Sequence, residues 1–181
     1  MVPVFNLFNK KSLLWVFSLL AVLSLVNCQS NAQKSDTKMK ANNPYYSRTD
    51  TTKLNVSNEE WKTILNPELY YVAREAGTER SFTGNMWKDE TKGDYFCAVC
   101  GNPLFKSTAK FTSMCGWPSF FEPLRKDNMI YKEDYSHGMN RIEVECARCN
   151  SHLGHIFDDG PEPTGKRYCI NAISVDFEPE P

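Results

Sequence analysis

Cys97-Ala98-Val99-Cys100 and Cys146-Ala147-Arg148-Cys149 are two Cys-x-x-Cys pairs, with Cys100 and Cys146 set 46 residues apart. Four thiolates at that spacing enclose a single zinc ion in a tetrahedral site with no open coordination position. Such a site holds a fold together and performs no chemistry, which leaves Cys115 and Cys169 as thiols outside it. Two other readings compete. A disulfide-stapled secreted domain uses the same six cysteines beyond Cys28 in pairs, although close Cys-x-x-Cys pairs are poor long-range staples. A zinc-ribbon binding module keeps the metal and makes Cys115 and Cys169 plain core residues.

Outward from the cysteine pairs, the sequence reads mainly as strands. Tyr95-Phe96, Pro103-Leu104-Phe105, Met129-Ile130-Tyr131, Arg141-Ile142-Glu143-Val144 and Ala172-Ile173-Ser174-Val175 are short aromatic or β-branched runs punctuated by turn residues. Arg141 to Val144 alternates polar and apolar, as a half-buried strand does. The strands carry one cysteine pair just after Phe96 and the other just after Val144, so two hairpin-like knuckles face each other across one metal. Two helices are expected upstream. Ser57 with Glu60 three residues on has capping-box spacing and predicts a helix to about Leu65. Pro67 suits a second helical start, Leu69, Val72 and Ala73 give it one apolar stripe, and Gly77 is its expected cap.

The N-terminal segment has a different character. Lys10 and Lys11 precede a 14-residue apolar run, Leu13 to Val26, the length of a signal-peptide core and short for a membrane span. Residues 1–28 therefore read as an export signal. It ends Leu25-Val26-Asn27-Cys28, which resembles the lipobox of bacterial lipoproteins and makes Cys28 a candidate lipidated N-terminus. A plain secreted protein cut nearby is the alternative. Residues 29–54 are polar, carry a net charge of +3, and read as a flexible tether. Gln29 is not acidic, which favours outer-membrane over inner-membrane retention. The expected location is the bacterial cell envelope, periplasm-facing or anchored in the outer membrane, with the lipid as the one contact with a membrane.

Residues 55–181 then form a single domain of 127 residues with a net charge of −6. That sign excludes nucleic-acid binding by phosphate neutralisation. A core of this size gains from a structural metal. Its chemistry-bearing residues fall in three runs: Cys115-Gly116-Trp117-Pro118-Ser119-Phe120, His152-Leu153-Gly154-His155-Ile156-Phe157-Asp158-Asp159-Gly160-Pro161, and Gly165-Lys166-Arg167-Tyr168-Cys169-Ile170-Asn171. A four-cysteine metal site needs no histidine, so His152 and His155 are free for other duties. A thiol beside a guanidinium and served by histidine is a nucleophile in one reading and a buried core cysteine in the other.

Taken together, Glu60-Trp61, Pro67-Glu68, Thr78-Glu79-Arg80, both cysteine pairs, Cys115 to Phe120, Ser136-His137-Gly138-Met139, His152 to Pro161 and Arg167 to Asn171 resemble the type B methionine sulfoxide reductases. The resemblance runs from about Asn55 to Phe177. It implies a fold of two antiparallel sheets, a β-tent, with N-terminal helices and one structural zinc ion on Cys97, Cys100, Cys146 and Cys149. It implies Cys169 as nucleophile and Cys115 as resolving cysteine. His152, His155, Asp159, Arg167 and Asn171 fall around the sulfoxide, with Trp117 and Phe157 lining the pocket for the S-methyl group. The expected reaction is reduction of the R-epimer of methionine sulfoxide in oxidised proteins, through a sulfenic acid and a disulfide, with a thioredoxin-like reductant as partner. In the mechanism that follows, Arg167 favours the Cys169 thiolate and Asp159 orients His155 as proton donor, with His152 sharing the oxygen. Met114 and Ala172 stand where the family more often has Gly and Ser.

Overall fold

The computed structural model describes residues 42–181. The lipobox and the signal run lie outside the described residues, and among the described residues no helix is long and apolar enough to cross a membrane. From Asn43 onward the chain is one compact unit. Its elements are α1 (Asn58–Ile64), α2 (Pro67–Arg74), β1 (Gly93–Cys97), β2 (Pro103–Lys106), β3 (Lys110–Phe111), β4 (Ser119–Phe120), β5 (Met129–Asp134), β6 (Arg141–Cys146), β7 (His152–Phe157), β8 (Arg167–Ile170) and β9 (Val175–Pro179). The strands form two antiparallel sheets, ordered β2-β1-β9 and β3-β4-β8-β7-β6-β5. The mainly β class with two leading helices is the one expected.

Both helices begin as their caps dictate. Ser57 Oγ accepts the Glu60 N–H at 3.2 Å, and Asn66 Oδ1 accepts that of Leu69 at 2.8 Å. Leu69, Val72 and Ala73 are buried, and α2 lies on β7 and on the Ala172–Ser174 turn. Gly77 does not supply the left-handed cap; Ala76 takes that conformation (φ 52°). A Cβ at Gly77 would sit 2.4 Å from the ring of Tyr71, an exposed side chain that can turn aside. Between the sheets the core stacks Phe105 on Phe120 at 4.2 Å, with Tyr95 edge-on to Phe120 at 4.9 Å.

Three expectations are corrected here. Ala172–Ser174 is a 3-10 turn, and β9 starts only at Val175. Strands β7 and β8 were not foreseen, because their Gly, His, Arg and Cys content hides the strand pattern. Residues 43–54 belong to the folded unit and not to a tether. Asn43 donates to the Val99 carbonyl, Ser47 N–H to Cys100 O, and Leu54 N–H to Arg148 O. The Arg148 side chain, 2% exposed, gathers the Tyr45, Ser47, Thr52 and Cys100 carbonyls and the Asp50 carboxylate. This strap satisfies its polarity through main-chain hydrogen bonds, so low hydrophobicity was no guide to its order.

The strap closes over the two knuckles. Their four buried cysteine sulfurs all lie within 4.8 Å of one another, with Cys97 to Cys149 and Cys100 to Cys146 each at 3.7 Å. A disulfide needs about 2.05 Å, whereas sulfurs about 2.3 Å from a central tetrahedral ion stand roughly 3.8 Å apart. The cluster therefore fits a metal ion. Asn102 Nδ2 reaches Cys146 Sγ at 3.5 Å and Ser151 Oγ lies 3.2 Å from Cys149 Sγ, the outer hydrogen bonds that orient thiolate ligands.

Candidate active site

Cys169 sits on β8, an interior strand of the larger sheet, where register decides its neighbours. Ser119 on β4 lies opposite it on one side and His155 on β7 on the other; Glu143 on β6 continues the row opposite His155. Gly154 is what lets β7 and β8 approach, because a Cβ there would fall 2.0 Å from the Cys169 carbonyl oxygen. Cys115 reaches the same place from the loop before β4. Its Sγ lies 3.5 Å from Cys169 Sγ, 2.9 Å from Ser113 Oγ and 3.5 Å from Ser119 Oγ.

Beside these sulfurs opens a cleft of about 110 Å³. Trp117 and Phe157 form its apolar walls; Cys169, His155, Asn171, Thr78 and Arg141 are its polar members, with Gly154 completing it. The indole is pinned by Nε1 donating to the Glu79 carbonyl at 3.3 Å. Asn171 is buried, donating through Nδ2 to Leu153 O at 3.1 Å.

The charged groups differ from the expected pairing. Asp159 does not orient His155; it forms a two-pronged ion pair with Arg167 at 2.8 and 2.9 Å, and the guanidinium lies 4.3 Å over the Phe157 ring. The register setting Phe157 opposite Arg167 commits Asp159 to this pair. The carboxylate on His155 is Asp134, 2.8 Å from Nε2, itself held by Arg141 at 2.6 Å. Hydrogen bonds from Ser136, with help from His155 and Arg141, keep Asp134 below the usual carboxylate range. An ionised Asp134 can only accept, so Nε2 of His155 carries the hydrogen and Nδ1 is left for a ligand. Burial depresses the His155 pKa against the pull of Asp134.

His152 is buried behind His155, their rings 5.4 Å apart and edge-to-face, with Nδ1 2.6 Å from Glu143. It is not part of the cleft wall, and its Nε2 meets no protein partner. The expectation that it shares the substrate's oxygen gives way to a supporting place behind His155.

Cys115 and Cys169 are in hydrogen-bond contact and shift each other's titration. The hydrogen bond from Cys169, joined by those of Ser113 and Ser119, brings Cys115 down to about 4. Cys169 is pushed up by its bond to the Cys115 sulfur and by burial, with Arg167 opposing. Arg167 acts in the expected direction, favouring the Cys169 thiolate against burial.

Asp134, Arg141, Glu143, Ser113 and Ser119 were not foreseen as parts of this site. The alternation of Arg141-Ile142-Glu143-Val144 was the available signal. Its polar face is the one turned toward the histidines, while Ile142 is 36% exposed.

Two thiols 3.5 Å apart, one of them lining a cleft and both separate from the four clustered cysteines, are a pair able to exchange two electrons. Such a pair fits an oxidoreductase that works through thiols. The SelR domain matches residues 65–179. A peptide methionine sulfoxide reductase MsrB from Methanosarcina barkeri is 57% identical over 124 residues, covering 68% of this chain and 87% of that protein. One from Pseudomonas syringae pv. syringae is 55% identical over 127 residues, covering 70% and 97%. The chain belongs to the SelR-domain family, the type B methionine sulfoxide reductases.

Proposed function

We propose that this protein reduces the R-epimer of methionine sulfoxide, in peptides or oxidised proteins, with Cys169 as nucleophile and Cys115 as resolving thiol. The observation that carries this reading is the 3.5 Å sulfur pair beside a cleft walled by Trp117 and Phe157. An S-methyl group fits against the indole, while the sulfoxide oxygen turns toward the His155 side of the cleft. A sulfoxide accepts a nucleophile only once its oxygen is hydrogen-bonded or protonated. Nδ1 of His155 serves that need when the ring carries its second proton, with Asp134 stabilising the imidazolium. Cys169 attacks as its thiolate, which Arg167 stabilises.

In the first half-reaction a bond forms between Cys169 Sγ and oxygen and the substrate S–O bond breaks. Methionine leaves reduced by two electrons, and Cys169 becomes a sulfenic acid. Cys115 then attacks Cys169, releasing water and closing a disulfide. A dithiol protein of thioredoxin type reopens it by exchange and leaves oxidised. Zinc bound by Cys97, Cys100, Cys146 and Cys149 would hold the two knuckles together without entering the reaction. Cys28 carries the lipid that fixes the enzyme in the bacterial envelope, a reading supported by Lys10, Lys11 and the apolar run ending at that cysteine.

The test is a single-turnover burst on separated sulfoxide epimers. Cys169→Ser is expected to give no methionine with any reductant. Cys115→Ser is expected to give one equivalent, retain a sulfenic acid on Cys169, and lose recycling by thioredoxin. A normal burst from Cys169→Ser, or a burst confined to the S-epimer, would refute the proposal.

A further inference from the structure

Glu79 lies between the helices and the first sheet, and every polar group it owns is spent on the flanks of the cleft. Its two carboxylate oxygens accept the backbone N–H groups of Ala172 (2.5 Å) and Ile173 (3.0 Å). Its own N–H donates to Asn171 Oδ1 at 3.1 Å, and its carbonyl accepts the Trp117 indole N–H at 3.3 Å. Asn171 to Ile173 directly follow the strand that carries Cys169; Trp117 stands two residues past Cys115. One residue therefore ties together two segments well separated in the sequence, and it hydrogen-bonds to neither sulfur.

Resting on the function proposed above, we infer that Glu79 is a positioning residue for the sulfoxide-reduction step, setting Trp117 and Asn171 as a rigid pair against which the substrate sulfur is held. The geometry of each bond supports this. Asn171 is buried, its oxygen bonded to the Glu79 N–H and its nitrogen to Leu153 O, so the side chain has one orientation. The indole has a single hydrogen-bond donor, and Glu79 holds it. The carboxylate straddles the first two N–H groups of the Ala172–Ser174 turn, which fixes where the chain leaves β8. Loosening these bonds moves the wall and not the nucleophile, which β4 and β7 grip from both sides.

A merely structural glutamate would affect every reaction of the site equally; a positioning one separates them. Glu79→Gln keeps the shape but turns an N–H₂ toward one of the two backbone donors. With a methionine R-sulfoxide peptide, the burst rate is expected to fall about tenfold, as does any reaction whose substrate is held loosely by a fraction of an ångström. Hydrogen peroxide bypasses the substrate pocket: it oxidises Cys169 to the sulfenic acid, releasing water, and condensation with Cys115 is followed by thiol loss. That closure is expected to stay within about twofold of the parent, because Cys169 and Cys115 keep their strand and loop. An unchanged sulfoxide burst overturns the inference, and so does a parallel fall in both reactions. Should Glu79→Gln fail to fold, Glu79→Asp retains both acceptor oxygens on a shorter arm and is read by the same ratio of rates. A parent enzyme without any burst would defeat the proposed function itself and would be seen before a variant is made.

Discussion

Gly154→Ala places one methyl group at the point where β7 and β8 are closest, and its effect follows from one distance. The new Cβ would lie 2.0 Å from the Cys169 carbonyl oxygen, 3.0 Å from its carbonyl carbon and 3.0 Å from Ile170 Cα. Cβ contacts below 3.0 Å are essentially never seen, so the strands must separate by about 1 Å at the nucleophile itself. Backbone on both sides leaves no flexible side chain to give way. Overpacking of this kind costs about 1–3 kcal/mol of stability, while a 1 Å misplacement of a reacting group costs on the order of 100-fold in rate. The expected variant is folded and metal-loaded, with its sulfoxide burst reduced about 100-fold. Its peroxide-driven disulfide closure slows as well, since Cys169 moves relative to Cys115. Stopped-flow measurement of both reactions is the assay. Gly138→Ala controls for glycine loss: it has a positive φ of 71°, but nothing lies within 4 Å of its added Cβ. A Gly154→Ala burst within threefold of the parent would refute the claim that this contact positions Cys169.

Arg148→Met removes the cation that gathers carbonyls of the 43–54 strap onto the knuckles. With each buried acceptor left unpaired costing about 1–3 kcal/mol, a loss of about 3–5 kcal/mol is expected, read as a thermal midpoint lower by on the order of 10 °C. A midpoint within 2 °C of the parent would show that the strap contributes nothing. Chelation with a strong zinc ligand under reducing conditions is expected to release about one equivalent of zinc and abolish the cooperative unfolding transition; unchanged unfolding after complete release would refute the structural role. Asp134→Asn removes the anion that raises the His155 pKa against burial. Protonation of His155 therefore moves to lower pH, and the burst at pH 7 is expected to fall about tenfold and recover as the pH is lowered. The stability term runs the same way. A carboxylate held below its ordinary range stabilises the fold above its unfolded pKa and loses that contribution as acid protonates it. The parent is therefore expected to exceed Asp134→Asn in stability at neutral pH, with the gap closing in acid; a gap that widens in acid would reverse the assignment.

Parts of this molecule were legible in the sequence wherever the chemistry is local. Four cysteines at metal-ligand spacing announce their cluster because two thiolates on one knuckle need a fixed short loop between them. Ser57 and Asn66 announce their helices because a cap acts on the N–H three residues away. Cys115, Trp117, His155, Phe157, Cys169 and Asn171 stood out as runs of reactive and aromatic residues among turn-forming ones, and the fold gathers them at one cleft. Beyond that reach the sequence was read wrongly in instructive ways. Asp159 is nearer His155 along the chain than Asp134 is, yet strand register turns it to Arg167, while the β5–β6 hairpin brings Asp134 under the imidazole.

The polar face of β6 is the covered one. Alternation says only that two faces differ; it does not say which one is covered. In this sheet the charged side chains of Arg141 and Glu143 are partly buried because they have partners there, Asp134 and His152. A buried charge is tolerable only when paired. The partners lie 7 and 9 residues away along the chain and meet through antiparallel pairing, not helical spacing. The strap gives the converse case: residues 43–54 have few large apolar groups, and their order comes from carbonyls converging on Arg148. A cysteine knuckle that carries an arginine between its ligands, as Cys146-Ala147-Arg148-Cys149 does, therefore presents five donors to passing main chain. A polar segment whose backbone meets such a fork has a source of order beyond its few apolar contacts, here Tyr45 edge-on to the buried Trp61 at 5.3 Å, and its composition alone does not identify it as a tether.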